Sequence, residues 1–310
     1  MKDNHFDCRI CGHGTDNPES YRVRETRLGL GDVFEYVRCP QCGCVQISEI
    51  PEDLGKYYPS QYYSLQQRHE DKDNRSYRVF LRKHIINYRL TKRDLIGKWF
   101  VKMQPNSFEW VEPGLFSKSS SILDIGCGTG RLIIKLAKAG FVNVTGIEPF
   151  IDEDIHYEID HHDIVVHKKE VKDMAGKFDV VILNHVVEHL TNPVEDLKNI
   201  TRLMNENSRL VIALPLLSNF MWEQYGVESL PFADAPRHLH IFTYSGFCQF
   251  ASSVGLSLLG SKPYIYEGAL QDVYGNYSDS IMKTDKTVLM RKLLSDNDTG
   301  LMYLYFRLKR

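Results

Sequence analysis

Between residues 119 and 215 short apolar runs alternate with amphipathic stretches. Ile122 to Ile125 is one such run. It enters Gly126-Cys127-Gly128-Thr129-Gly130, after which Leu132, Ile133, Leu136 and Ala137 recur on one helical face. Strand, glycine turn and helix are the expected order. "NVTGIEP" (143–149), "DIVVHKKEV" (163–171), "DVVILN" (179–184) and "RLVIALP" (209–215) supply further strands. "DEDIHYEIDHHD" (152–163) yields no clear element. A helix is predicted after Asn192, with Pro193 at its first position, Glu195 completing a capping box, and Val194, Leu197 and Ile200 facing inward. A second is predicted after Thr243, with Phe247, Phe250 and Val254 inward and Gly255 as its stop. "YLYFRLKR" (303–310) reads as the last, antiparallel strand. Such alternation predicts an α/β fold with a doubly wound sheet.

The flanking pattern differs. Residues 65–103 hold eleven Lys/Arg against four Asp/Glu, with Phe80, Ile85, Tyr88, Ile96, Phe100 and Met103 at helical spacing. One or two basic amphipathic helices are expected here. Their face either packs on the main domain or meets RNA or anionic lipid. "QPNSFEWVEPG" (104–114), with two prolines, ends the stretch. At the front, "YRVRETRLGLGDVFEYVRC" (21–39) reads as two strands around a turn at Gly29–Gly31. The expected division is 1–62, a linker over 63–114, and a main domain over 115–310.

Seven cysteines change the picture at the front. Cys8 and Cys11 form one Cys-x-x-Cys pair, and Cys39 and Cys42 another, each followed by a glycine. A dithiol redox site would need a βαβ context that is missing here. Two thiolate pairs instead suit a closed tetrahedral Zn2+ site, which has a structural and not a catalytic role. Residues 1–62 are thus expected to form a small zinc ribbon, with Cys44 as a buried non-ligand. The odd cysteine count and the lack of an apolar core in "MKDNHFDCRICG" lead to an expected cytoplasmic setting. No run reaches the length of a membrane span, which leaves peripheral contact as the expected limit. A formal net charge of −2 gives no whole-chain attraction to nucleic acid.

The glycine turn carries the candidate chemistry. Its spacing is G-x-G-x-G, preceded by Asp124, and not the G-x-G-x-x-G of a dinucleotide site. That string resembles motif I of class I S-adenosylmethionine (SAM) methyltransferases. "DVVILNHVVEHL" is also similar to the family's fourth strand and the segment after it. The resemblance spans about 115–310 and implies a Rossmann-like, seven-stranded methyltransferase sheet. It further implies that Gly126, Gly128 and Gly130 line the cofactor with Asp124 behind them. Glu148 would hold the ribose, Val171 would lie at the adenine edge, and Asn184 near the methionine amine.

On the acceptor side, "PRHLHIFT" (236–243) resembles a segment of methyltransferases from glycan and polysaccharide gene clusters, which often carry a zinc ribbon followed by a Tyr-rich stretch like "KYYPSQYYS" (56–64). This implies a small-molecule or glycan acceptor, most simply a sugar hydroxyl in polysaccharide biosynthesis. Alternatives are an RNA methyltransferase with a zinc-ribbon module, a lipid- or quinone-type O-methyltransferase, and a binding protein on the same fold. His238 is the first candidate base and His185 the second, since imidazole titrates near neutrality. The competing role for His238 is bonding to backbone carbonyls. Arg237 suits a phosphate or carboxylate clamp or a structural ion pair. Trp222 and Tyr225 suit stacking or packing. "HVVEH" places His185 and His189 at helical spacing. It is similar to the E-x-x-E-H metal site of some O-methyltransferases, with His185 where that motif has glutamate.

Overall fold

The computed structural model describes residues 5–58, 76–217, 222–223, 226, 234–264 and 300–309. Its framework follows from β6 (Ile122–Ile125), buried at every position. It is flanked in parallel by β7 (Val144–Ile147) and β10 (Phe178–Asn184). A strand covered on both faces needs a mainly apolar run: the buried 180–183 segment of β10 is wholly apolar, and β6 is apolar but for Asp124. Beyond β7 lie β9 (His162–His167), also parallel, and β8 (Ile155–Ile159), antiparallel to β9. On the other side come β11 (Met204–Pro215), β14 (Leu301–Leu308) and β13 (Leu256–Pro263). The order is β13-β14-β11-β10-β6-β7-β9-β8.

That makes eight strands among the described residues where seven were expected. The additional one is β8, which fills the stretch "DEDIHYEIDHHD". Ile155, Tyr157 and Ile159 alternate with exposed His156 and Glu158. Asp160 (φ 48°) and His161 (φ 65°) make the tight turn into β9. Tyr157 donates its hydroxyl hydrogen to the Thr129 carbonyl at 2.7 Å, so this edge hairpin braces the glycine turn.

Two compact units emerge. One comprises residues 60–184, 199–212 and 305–310 and contains β6 to β10. It also holds α1 (Ser76–Thr91), α2 (Leu95–Met103) and α3 (Arg131–Lys138). Arg89 of α1 is buried and donates to the Ser107 carbonyl at 3.1 Å. The other comprises residues 1–59, 185–198 and 213–304. The ribbon contributes β1 (His5–Asp7), β2 (Gly14–Asp16), β3 (Ser20–Arg24), β4 (Val33–Arg38) and β5 (Val45–Ile47) to it. β3 and β4 pair across the expected turn. There the buried Glu25 carboxylate accepts from the amides of Leu28 (2.5 Å) and Leu30 (2.8 Å).

β12 (His240–Ile241) joins the ribbon as a fourth strand, giving the order β12-β5-β4-β3. Tyr36, Val45 and Ile47 of the ribbon form one core with Leu217, Ala235, Leu239 and Ile241. α5 (Tyr244–Ser253) begins at Thr243, whose side chain accepts from the Gly246 amide, as expected from its sequence. Phe247, Phe250 and Val254 are buried. α4 (Pro193–Arg202) begins with Asn192 Nδ2 donating to Glu195 at 2.9 Å. The same unit encloses Cys44 completely.

Gly246 marks the closest approach of α5 to the ribbon. A Cβ there would lie 2.5 Å from Cys44 Sγ and 2.9 Å from the Cys42 carbonyl. Gly246→Ala is therefore expected to destabilise the protein by about 1–3 kcal/mol through overpacking, read as a lowered thermal midpoint. An unchanged midpoint would mean that the two elements do not pack this closely.

Candidate functional site

In the first unit the glycine turn is shaped by backbone geometry. Gly126 and Gly128 have φ of 66° and 55°, a region costly for residues with a Cβ. Gly130 begins α3 at φ 81°, where a Cβ would meet Val166 at 2.7 Å. The amides of Gly126 and Cys127 donate to the Ile147 carbonyl. Glu148 follows at the end of β7 and its carboxylate accepts from Gly128 at 3.0 Å and Phe150 at 3.2 Å. Asp124 and Glu148 are both buried. Burial, and then the charge of Glu148, push Asp124 up to about 8. Burial also raises Glu148, against the two amide hydrogen bonds. Two carboxylates in one poorly solvated place disfavour each other's ionisation, and a cationic ligand would relieve that. Asn184 lies exposed at the end of β10, and Val171 opens a 3₁₀ turn (Val171–Asp173) after β9.

The second unit holds a cluster around Glu188. The chain does not continue as a helix from His185 to His189, as the sequence spacing suggested. His185 has φ of 56°, and only Val187–His189 form a 3₁₀ turn. That turn brings Glu188, and not His189, back to His185. His185 Nδ1 lies 3.1 Å from Glu188 Oε1, and its Nε2 lies 2.6 Å from the Tyr264 hydroxyl. Glu188 is wholly buried, with Oε2 lacking a hydrogen-bond partner. Burial works against its ionisation, yet the His185 hydrogen bond and the neighbouring histidine charges hold its pKa down at about 2. A buried carboxylate is tolerable only with such a partner.

The remaining histidines divide by role. His189 donates Nδ1–H to the Arg237 carbonyl at 2.9 Å, since a carbonyl only accepts. Burial and the nearby His238 push its pKa down to about 4, so it is neutral at pH 7 with Nε2 unprotonated. His240 likewise donates Nε2–H to the Leu190 carbonyl at 3.0 Å, and burial lowers it to about 3. His240 therefore has a framework role. His238 is half-buried, its ring 4.8 Å from that of His189. Glu188, His189 and His238 each offer a ligand atom within 4.8 Å of the others, a set that could hold a divalent cation.

Arg237 is not a substrate clamp. It is completely buried, ion-paired to Asp234, and donates Nη1–H to the Tyr57 carbonyl at 3.0 Å. Trp222 packs edge-on against Tyr21 with the Arg38 guanidinium 4.7 Å from its ring, while Tyr225 lies outside the described residues. Tyr264 had no sequence signal, because a lone tyrosine after a strand is unremarkable. The clue to Glu188 was an acid between two histidines, "HVVEHL".

The four ribbon thiols fit a tetrahedral ion. Cys8 and Cys42 sulfurs are 3.7 Å apart, and Cys11 and Cys39 sulfurs 3.6 Å. Bonds of about 2.3 Å give tetrahedral edges of about 3.8 Å. Gln46 donates Nε2–H to Cys8 Sγ at 3.0 Å, a contact that favours thiolate. Without a cation, the Cys42 thiol and burial push Cys8 up to about 12, and burial pushes Cys11 to about 11. Cys44 is absent from this set.

A family model described as a methyltransferase domain matches residues 102–260, and the chain belongs to that family. The chain is 26% identical over 174 residues to a ubiquinone biosynthesis O-methyltransferase of Coxiella burnetii, covering 51% of this chain and 72% of that one. It is 33% identical over 112 residues to the protein of the same name from Glaesserella parasuis, covering 32% and 46%. A solved complex of the Haloferax volcanii Trm112 methyltransferase activator with a methyltransferase matches at TM-score 0.46 and 12% identity, covering 63% and 84%. The enzyme is thus an S-adenosylmethionine-dependent methyltransferase on an α/β Rossmann-like sheet. No helix among the described residues is long and apolar enough to cross a membrane.

Asp124 gives a pH test. In the unfolded chain it loses its proton near pH 4. In the folded, ligand-free protein it keeps that proton up to about pH 8. Across this interval the fold binds a proton that the unfolded chain has released, so this residue's contribution falls as pH rises. The thermal midpoint of Asp124→Asn, relative to the native protein, is expected to climb between pH 5 and pH 8. A flat difference would show that Asp124 ionises normally.

Proposed function

We propose that this enzyme transfers the methyl group of SAM to a hydroxyl oxygen of a small molecule. His185 takes the acceptor's proton by way of the Tyr264 hydroxyl on its Nε2. The observation that carries this reading is the His185–Glu188 pair: a half-exposed imidazole oriented by a wholly buried carboxylate. Methyl transfer is an in-line displacement and depends mainly on positioning. The acceptor oxygen must shed its proton, and an imidazole backed by a carboxylate can take it and tolerate the resulting charge. With Nδ1–H donated to Glu188, Nε2 carries the imidazole's lone pair, and the Tyr264 hydroxyl bound to it relays the proton, taking one from the acceptor as it gives its own to Nε2.

Asp124, Gly126, Gly128, Gly130, Glu148, Val171 and Asn184 are assigned to SAM. Support comes from the positive-φ glycines and the buried carboxylates, which suit a cationic cofactor. The O-methyltransferase names of the relatives support oxygen as the acceptor atom. They do not support a sugar over a phenol, and the glycan-cluster reading rests on "PRHLHIFT" and on the ribbon with its Tyr-rich stretch. A second reading takes its support from the unpartnered Glu188 oxygen beside His189 and His238. These three residues would hold a divalent cation supplying Lewis acidity, with His238 a ligand and not a base.

His185→Gln is expected to lower kcat by about 10²–10⁴-fold while leaving the SAM dissociation constant unchanged. The assay follows methyl label from SAM into fractions of a cell extract. Label in small-molecule sugar or phenol fractions fits the proposal; label in RNA sinks it. Equal turnover by His185→Gln would remove the base from that residue. Loss of activity on chelation, restored by Mg2+ or Mn2+, would establish the second reading.

The ribbon ion is assigned as structural Zn2+, held by Cys8, Cys11, Cys39 and Cys42. Elemental analysis should find about one zinc per chain, and Cys39→Ser should release it and lower the thermal midpoint. A metal-free native protein would overturn this assignment.

A further inference from the structure

α2 is an apolar helix turned toward solvent. Of its nine residues only Gly97 is buried, against α1. The contact is so close that a Cβ at 97 would lie 2.0 Å from the His84 carbonyl oxygen. Asp94 caps the helix, accepting from Gly97 at 2.8 Å and pairing with His84 at 2.7 Å. Phe100 is half-buried with its ring 6.5 Å from that of Phe80 of α1, while the opposite side of the helix is open. Leu95, Trp99 and Met103 are 77%, 59% and 62% exposed and, four residues apart, share one stripe. Ile96 and, from α1, Tyr77 and Phe80 are exposed as well. A helix of this composition normally turns such a face to a core.

Charge says what the face meets. Residues 76–103 carry eight Lys/Arg against one carboxylate, and that carboxylate is Asp94, already used in the cap. Lys83, Lys92, Arg93, Lys98 and Lys102 are exposed. A second copy would bring an equal positive excess to the same face, which like charge opposes. A nucleic acid would satisfy the cations but leave Leu95, Ile96 and Met103 against water. Inserted apolar side chains beside lysines, with a tryptophan at the boundary, suit one partner best.

We propose that the α1–α2 hairpin docks on an anionic lipid bilayer. α2 lies in the headgroup plane, with Leu95, Trp99 and Met103 entering the acyl boundary and Lys98 and Lys102 on lipid phosphates. At nine residues α2 is far short of the roughly 20 needed to span. The proposal rests on residues 76–103 and is independent of the acceptor reading.

The test floats the full chain with vesicles of phosphatidylcholine, alone or with about one third phosphatidylglycerol, a share that gives the surface a negative potential. The protein should float with the anionic vesicles, and its tryptophan emission should shift to the blue by an amount that Trp99→Phe removes. Leu95→Glu, at an exposed position, should abolish flotation. Lys98→Glu and Lys102→Glu should each weaken partitioning about fivefold or more. SAM affinity, measured on the same samples, should stay unchanged in all four variants, which reports that they fold. Absence of flotation with anionic vesicles would overturn the proposal. So would flotation that survives Leu95→Glu, or a concentration-dependent dimer in light scattering that Leu95→Glu dissolves.

Discussion

The ribbon has too little interior to stand as a core of its own, and much of the second unit follows from that constraint. Chains of this size usually need a metal, a disulfide or a neighbour. Here the four thiols gather the two knuckles, and residues 217 and 235–241 complete the apolar interior. Tyr36 donates its hydroxyl hydrogen to the His238 carbonyl at 2.8 Å, and the Ile47 amide donates to the Leu239 carbonyl at 3.0 Å. The Leu239 amide in turn donates to the Glu188 carbonyl at 2.8 Å. A closed thiolate site performs no chemistry. It nonetheless fixes the backbone on which the histidines stand.

The same constraint explains the fate of Arg237 and His240. A segment that pairs with a ribbon strand buries its flanking side chains, polar ones included. Each must then find partners or lose its charge. Arg237 cannot lose its proton and takes Asp234 and the Tyr57 carbonyl. His240 can, and stays neutral against Leu190. What remains for chemistry is the part of the cluster with exposure, His185 and His238, around a carboxylate that cannot reach water.

The framework was legible where local pattern and tertiary role agree. β6, its glycine turn, and the cap and inner face of α5 are readable because burial on both sides calls for a mainly apolar run, and a cap calls for Ser, Thr, Asp or Asn at one position. β8 was not readable: an edge strand with His156 and Glu158 facing water lacks an apolar run. The His185 backbone, at φ 56°, was hidden for another reason. A left-handed residue there breaks the helical spacing that "HVVEH" suggests, and no glycine announces it. The Cys-x-x-Cys pairs revealed the thiol site but not its neighbours. The pairing of β12 with β5 joins residues almost two hundred positions apart, and no local propensity encodes it.

The exposed hairpin reverses the usual argument from helical periodicity. Phe80, Ile96, Phe100 and Met103 recur as an inward face would, yet Phe80, Ile96 and Met103 are exposed. Periodicity identifies a face that must be covered, not the surface that covers it. In α2 the closest contact with α1 is made by a glycine, so packing there needs no large side chain, and Leu95, Ile96, Trp99 and Met103 are left exposed. The sole carboxylate of residues 76–103 is drawn into the cap, which leaves the cations around that face without an internal counter-charge on either helix. Apolar stripe and basic rim thus have one origin: a hairpin whose closest internal contacts use glycine and aspartate and leave Leu95, Ile96, Trp99 and Met103 for an outside surface.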